Sequence, residues 1–208
     1  MPVTEQRYSF SFISGALYLR ESVAVALLLR KHGDWDRVRR EVLDRNALRQ
    51  RTRESCVRLF REIRYRLQEL TAGEVGFLCD AAAPDQRQLL FIAACLRYRF
   101  VREFVEEVLT AKAMASDQQV YPGDISRFFE AKEAEADEVA RLKPSSRAKV
   151  EQVLLRMLVE AGLLDSVESR RVVRVVPSKT LARLVATRDP RLLKYLLLSN
   201  TDVRQLVS

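Results

Sequence analysis

Residues 52–70, TRESCVRLFREIRYRLQEL, constrain the fold of this chain more than any other stretch. Cys56, Leu59, Phe60, Ile63, Leu67 and Leu70 recur at steps of three and four, so they share one side of a 3.6-residue helix and can face a core. Thr52 is a suitable cap for its first turn. The other side is basic. Arg58 and Arg61 stand in front of Tyr65, Arg53 lies a turn earlier, and Arg64 and Arg66 fall on the flanks, where a long stem can lie on apolar surface while its charge reaches water.

The charge extends upstream. Between positions 37 and 66 there are 11 arginines and 4 acids, net +7, nearly all of the +8 carried by the 208 residues. The sign then reverses: 10 acids against 3 basic residues give −7 over positions 103–138, before 13 basic residues against 5 acids give +8 over 141–194. The plain reading of the acidic run is a solvated helix face. The sharper one is a contact for another protein's basic surface, or for this chain's own arginine-rich helix. A pI near 9.7 points to a polyanionic partner such as nucleic acid, although 29 of the 36 basic residues are arginine, which a GC-rich genome would also produce.

Hydrophobic content of 48% with only 6 Gly and 6 Pro fits a helix-rich soluble protein and gives no signal of disorder. The longest apolar stretch, residues 23–29, is far short of the roughly 20 residues that span a bilayer. MPVTEQRYSF lacks the basic and apolar regions of a signal peptide, so the cytoplasm is the expected compartment. Cys56, Cys79 and Cys95 lie far apart within apolar helical patterns, as reduced core thiols do, and the single histidine, His32, leaves no zinc set. No Gly-rich phosphate loop, no nucleophile beside a histidine base and no carboxylate cluster occurs, so no catalytic residue, cofactor or metal is assigned and the chain is read as non-enzymatic.

In chain order, residues 9–12 are expected to lie extended before Ser14 caps a helix over 15–31, nearly buried through Leu17, Val23, Ala24, Leu27 and Leu28 and stopped by Gly33. Asp34 caps a short helix with Trp35, Val38, Val42 and Leu43 inward. Thr71 and Glu74 have capping-box spacing. Leu89, Ile92, Ala93, Leu96, Phe100, Phe104, Val105 and Val108 keep helical spacing over nearly 30 residues, compatible with one helix or with two joined near residues 97–99.

Beyond Tyr121 the pattern changes. Asp124 starts a helix through Phe128 and Phe129, a helical turn covers 139–142, and Pro144 opens a third helix with Val150, Val153, Leu154, Met157, Leu158 and Ala161 inward and Gly162 at its end. A hairpin of 163–167 with 171–176 follows, then two short helices over 178–186 and 189–199. Three helices and a hairpin are the order of a winged helix-turn-helix, whose third helix enters the major groove while the hairpin lies along the backbone. The expected architecture is all-α: an N-terminal helical bundle over 1–115 and a C-terminal winged-helix-like domain with a small β-hairpin over 116–208. Lys149, Gln152 and Arg156 share the third helix's outer face, Gln152 being able to read adenine. Arg170, Arg171 and Arg174 on the hairpin are candidates for phosphate contact. Arg49, Arg51, Arg53, Arg58, Arg61 and Arg64 complete the candidate DNA-binding set.

With these patterns placed, the chain resembles the BrxA family, a component of the BREX systems by which bacteria exclude phage. The resemblance rests on Ser14-Gly15-Ala16-Leu17 with Leu19-Arg20-Glu21-Ser22, on Gly33-Asp34-Trp35-Asp36, on Arg51-Thr52-Arg53-Glu54-Ser55 with Arg58-Leu59-Phe60-Arg61-Glu62-Ile63, on Tyr98-Arg99-Phe100-Val101-Arg102-Glu103-Phe104, and on residues 150–164. It implies a NusB-like helical N-terminal region joined to a helical C-terminal one, with DNA binding and no known catalytic activity. Double-stranded DNA and other BREX subunits are the expected partners, with no membrane and the oligomeric state open. The rival class is an assembly protein that bridges BREX components without touching DNA. RNA is the alternative within the binding class, because NusB-like bundles can bind it.

Overall fold

The computed structural model describes residues 7–115 and 117–207. Residues 1–6, which hold most of the stretch searched for a leader, and Ser116 at the expected domain boundary lie outside the described residues, as does Ser208. The fold is all-α. After a 3-10 turn, Ser11–Ser14, come α1 (Leu19–His32), α2 (Trp35–Asp44), α3 (Arg53–Leu67), α4 (Ala72–Asp80), α5 (Ala83–Arg97), α6 (Arg99–Phe104), a π-turn at Val105–Leu109 and α7 (Thr110–Met114). Then follow α8 (Pro122–Glu135), α9 (Asp137–Ala140), α10 (Pro144–Glu160), α11 (Lys179–Arg188), a 3-10 segment Pro190–Leu196 and α12 (Asn200–Val207).

Local chemistry accounts for the boundaries that agree with the sequence. The side chains of Asp34 and Thr52 accept from the Arg37 and Ser55 amides and cap α2 and α3, and Thr71 and Glu74 form a reciprocal capping box on α4. Gly33 and Gly162 end α1 and α10 at φ +63° and +82°, where a side chain would be strained.

Three expectations are corrected, and one left open is settled. Ser14 caps no helix. α1 begins at Leu19, because the Gly15 and Ala16 carbonyls, which a helix would use internally, accept instead from the Arg66 guanidinium. Nor is α1 nearly buried: Ser22, Val25 and Ala26 face inward and Leu27 is exposed, since neighbours α2, α3 and α4 cover only one side. Of the two forms open to the long pattern, the two-helix one holds: the break falls at Tyr98, which is extended (φ −113°, ψ 105°) and carries its ring into the core. Further along, the Thr110 hydroxyl donates to the Val105 carbonyl at 2.8 Å across the turn that takes the extra residue of a π-bulge. Finally, Arg66 does not reach water. It is wholly buried, pairing with Glu62 at 3.2 Å.

The expected hairpin is reduced to a single bridge, Leu164 with Val172, and residues 170–173 also pair on their other edge with 118–120 through a Gln119–Arg171 bridge. Val173 donates to Leu163 and Val172 to Gln118, so a three-stranded rung forms in place of two regular strands. Asp165 keeps the turn tight by accepting from the Ser166 and Arg171 amides. At the carboxyl end the second expected helix is the 3-10 segment Pro190–Leu196, and α12 is an additional element.

Side chains on both sides of residue 115 share the core. Phe100 lies 5.0 Å from Phe128 and 4.9 Å from Phe129, ring centre to ring centre, and Phe104 lies 5.2 Å from Phe128. Arg188 of α11 donates to the Glu69 carbonyl at 2.7 Å and to Glu74 at 3.3 Å, and the Ser178 amide donates to Asp85. Above the aromatic cluster the buried Lys132 ammonium bridges Glu103, Glu107 and Glu135.

Burial pushes the Glu103 carboxyl up, but hydrogen bonds from Tyr8 and Arg99 and the Lys132 charge outweigh it and hold the group below its ordinary value of 4.5. A carboxyl depressed in the folded chain contributes stability that is present above its unfolded value and is lost as pH falls through the folded one. Glu103→Gln is therefore expected to lower the urea midpoint at about pH 7 and to converge on the wild type at about pH 3. A gap of equal size at both pH values would remove this account.

Candidate nucleic-acid interface

The basic surface is built on α2 and α3. Arg37, Arg39 and Arg40 on α2, Arg49 and Arg51 in the connection, and Arg53, Arg58 and Arg61 on α3 are all exposed. None of these eight forms an ion pair among the described residues, and Arg58 only approaches the Ser55 hydroxyl. The one well-placed acid nearby is already engaged. Glu41 accepts from His32 at 2.5 Å and pairs with Lys31 and Arg45, and the His32 hydrogen bond together with those two charges holds its carboxyl below the usual range.

Arg53 opens α3, where the helix dipole disfavours a cation, so local electrostatics do not explain its position. Arg64 is half-buried, with its guanidinium 5.3 Å from the centre of the Trp35 ring. Arg61 and Arg64 come together with Arg39 around a recess of about 440 Å³ between α2 and α3, lined also by Val57, Phe60, Tyr65 and Gln68. Arg97 covers Tyr65, at 4.6 Å from its ring centre.

The second candidate set is on α10. Lys149, Gln152 and Arg156 form an exposed strip, but the Lys149 ammonium donates to the Gln152 amide oxygen at 2.9 Å, so adenine reading by Gln152 requires that bond to open. Leu155, which a groove-facing helix would leave bare, is buried, and α10 packs on the Ser11–Ser14 turn and α5. Of the hairpin arginines, Arg171 is exposed and Arg174 pairs with Asp202 at 3.3 Å. Arg170 is turned inward: its backbone is left-handed (φ 54°), its guanidinium donates to the Val167 carbonyl, and Glu151 lies 3.5 Å away. It is a turn residue rather than a free cation.

Sequence reasoning missed two features. Arg39 was read only as part of the charge run, because its place in the recess depends on how α2 meets α3. The buried Glu62–Arg66–Tyr98 group had a signal: Glu62 and Arg66 are four apart, with Glu62 three after Leu59 and Arg66 three after Ile63, so both lie at the edge of the apolar stripe. Tyr98 donates to Glu62, and burial pushes its phenol up to about 12, so it remains a protonated donor. The network also anchors the strap between the first turn and α1. Arg66 holds the Gly15 and Ala16 carbonyls, and Glu160 of α10 accepts from the Leu17 amide at 2.8 Å. A Cβ at Gly15 would overlap the Tyr18 phenol. The two candidate surfaces, on α3 and α10, are thus held to one strap.

The family model described as BrxA matches residues 6–189. Over 160 residues the chain is 25% identical to a BREX protein BrxA of Escherichia coli O9:H4 (strain HS), covering 77% of this chain and 75% of that one. It is 24% identical over 169 residues to a BREX protein BrxA of Bacillus cereus (strain H3081.97), covering 81% and 84%. The fold is similar to the crystal structure of an uncharacterized protein from Magnetospirillum magneticum, with a TM-score of 0.79 at 20% identity over 92% of this chain and 98% of that one.

Proposed function

The chain belongs to the BrxA family of the BREX phage-defence systems, and from that premise we propose that it is a non-enzymatic DNA-binding component that engages duplex DNA mainly through the phosphate backbone. The observation that carries this reading is the run of exposed arginines from Arg37 to Arg61, eight of them without an acidic partner among the described residues, on two adjacent helices and the segment that joins them. Cations that leave their charge unneutralised on a folded surface repel one another, and a polyanion relieves that repulsion while releasing its own counterions. Guanidinium groups suit the task because their planar fork can grip a phosphate with two hydrogen bonds.

The order rung strand, α8, α9, α10, rung strand, turn, rung strand supports a winged-helix reading of residues 117–173, with α10 as third helix. We take α2 and α3 as the principal DNA surface and Lys149, Arg156 and Arg171 as a secondary one. The acidic partners of Arg170 and Arg174 reduce their share. No helix among the described residues is long and apolar enough to cross a membrane. We place the protein in the cytoplasm, the compartment that suits its three free thiols.

The test is a fluorescence anisotropy titration against duplex DNA at several salt concentrations. With about five or six phosphates neutralised, log K is expected to fall against log salt with a slope of roughly −5. A slope near zero would remove the electrostatic reading.

One observation favours a protein contact as a second role. A groove of about 670 Å³ beside the rung is lined by Ala113, Met114, Val172, Val173, Leu197 and Leu198 among others, and Met114 and Val176 are strongly exposed. Such a surface suits another BREX subunit better than it suits DNA.

A further inference from the structure

We infer that the recess between α2 and α3 seats one unpaired nucleotide of a bound DNA strand, its phosphate against Arg39, Arg61 and Arg64 and its base against the half-buried Tyr65 ring. The inference rests on the DNA-binding reading above and adds a preference for DNA that carries a single-stranded end or gap.

Three features of the recess point to this ligand. Its walls hold three guanidinium groups and no acid, and none of the three forms an ion pair among the described residues, so the site is complementary to an anion. Its floor is apolar and aromatic, which a bare phosphate would leave without a partner. Its volume, about 440 Å³, lies within the roughly 300–1,000 Å³ of small-ligand pockets and leaves room beside a phosphate for a planar ring.

A stacked duplex does not satisfy the same site. Its bases are covered above and below, and it offers this concavity only phosphate oxygens. An unpaired nucleotide offers both an anion and a bare π face, and stacking is indifferent to which base it is. The exposed Gln68 amide at the rim can hydrogen-bond the base edge. Arg64 is held in place by Trp35 beneath it, so one guanidinium is ordered before the ligand arrives.

Trp35 is the only tryptophan in the chain and lies against both Arg64 and Phe60, so its fluorescence reports on the recess. The experiment compares the full chain bound to a blunt duplex, to a duplex of equal phosphate count with a single-stranded overhang, and to a free deoxynucleoside monophosphate. Anisotropy reads the two duplex affinities, and Trp35 emission is followed for all three ligands. The overhang duplex is expected to bind about tenfold tighter than the blunt one, within what one base–aromatic stack contributes, and to quench Trp35 saturably. The double variant Arg39→Gln, Arg61→Gln should reduce that ratio to about one and abolish the quench. Arg156→Gln, which removes a charge on α10, should weaken both duplexes and leave the ratio intact. Circular dichroism checks each fold, and Gln68→Ala provides an independent exposed site at which the ratio should fall.

Equal affinity for blunt and overhang duplexes in the wild type, or a ratio that survives the double variant, overturns the inference while DNA binding stands. Quenching by the free nucleotide as tight as that by overhang DNA overturns the assignment to a strand. Failure to bind any of the DNA at low salt overturns the DNA-binding reading itself.

Discussion

Replacing Arg66 by alanine is expected to destabilise the protein by about 3–5 kcal/mol, the usual cost of removing one partner from a buried ion pair. For a chain of this size that is a fall of roughly 6–20 °C in melting temperature. The guanidinium is wholly buried and meets Glu62, the carbonyls of Gly15 and Ala16, and the ring of Tyr98 at 5.5 Å. Alanine leaves the Glu62 carboxylate buried with Tyr98 as its one remaining side-chain donor among the described residues and leaves two strap carbonyls without theirs. The Tyr98 phenol, pushed up to about 12, cannot take over the charge. Thermal melts followed by circular dichroism test this, and a loss below about 1 kcal/mol would mean that the pair is not desolvated as described. The double variant Glu62→Gln, Arg66→Met separates charge from packing. It should be clearly more stable than Arg66→Ala alone, because neither change leaves an unpaired charge inside.

That network also shows where the sequence stops being sufficient. Residues whose surroundings are set by their own helix were legible: the caps of α2, α3 and α4, the apolar faces of α3 and α10, and the stop at Gly33. Periodicity assigns a side chain to an angle around its helix, and Arg66 lies at an angle where outward extension and inward burial are both open. The partner decides, and the partner is Tyr98, 32 residues away, behind a break that no Gly or Pro announces. The same holds for Ser14, a good capping residue overruled by a guanidinium that claims the next two carbonyls.

The hairpin failed differently. The four valines among residues 170–176 carry strong strand propensity, yet regular pairing needs a partner of equal length, and 163–165 and 118–120 each offer only about one bridge. For the candidate site, the charge on α3 was readable residue by residue, whereas the recess was not. It exists only where Arg39 of α2 meets Arg61 and Arg64 of α3, and their mutual distance is a tertiary quantity.

Reversing Arg58 and Arg61 to glutamate is expected to cut duplex affinity by about 60-fold at roughly 0.1 M salt while changing stability little. Each lost phosphate contact removes about 0.9 from the salt slope, which at that salt is about 0.9 log units of affinity, so two contacts give the stated factor and flatten the slope by about 1.8. Glutamate adds repulsion to the loss, so the figure is a lower bound. Stability should move by no more than about 0.5 kcal/mol per site, because both side chains are exposed and neither forms an ion pair among the described residues. Relieving the crowd of like charges on α2 and α3 works in the stabilising direction. The same reversal at Lys149 and Arg156 is expected to have a smaller effect, since the Lys149 ammonium is shared with Gln152 and α10 carries fewer free cations. If the α3 pair matters and the α10 pair does not, the DNA surface lies on the bundle, and the region from α8 to the rung is left for protein contact. If only the α10 pair matters, charge density has pointed to the wrong helix, and the winged-helix geometry decides instead. A wild type that binds duplex with the expected slope while both double reversals keep full affinity would exclude both helices. The contact would then have to come from other exposed arginines that form no ion pair among the described residues, first of all Arg37, Arg39, Arg40, Arg49, Arg51, Arg53 and Arg171.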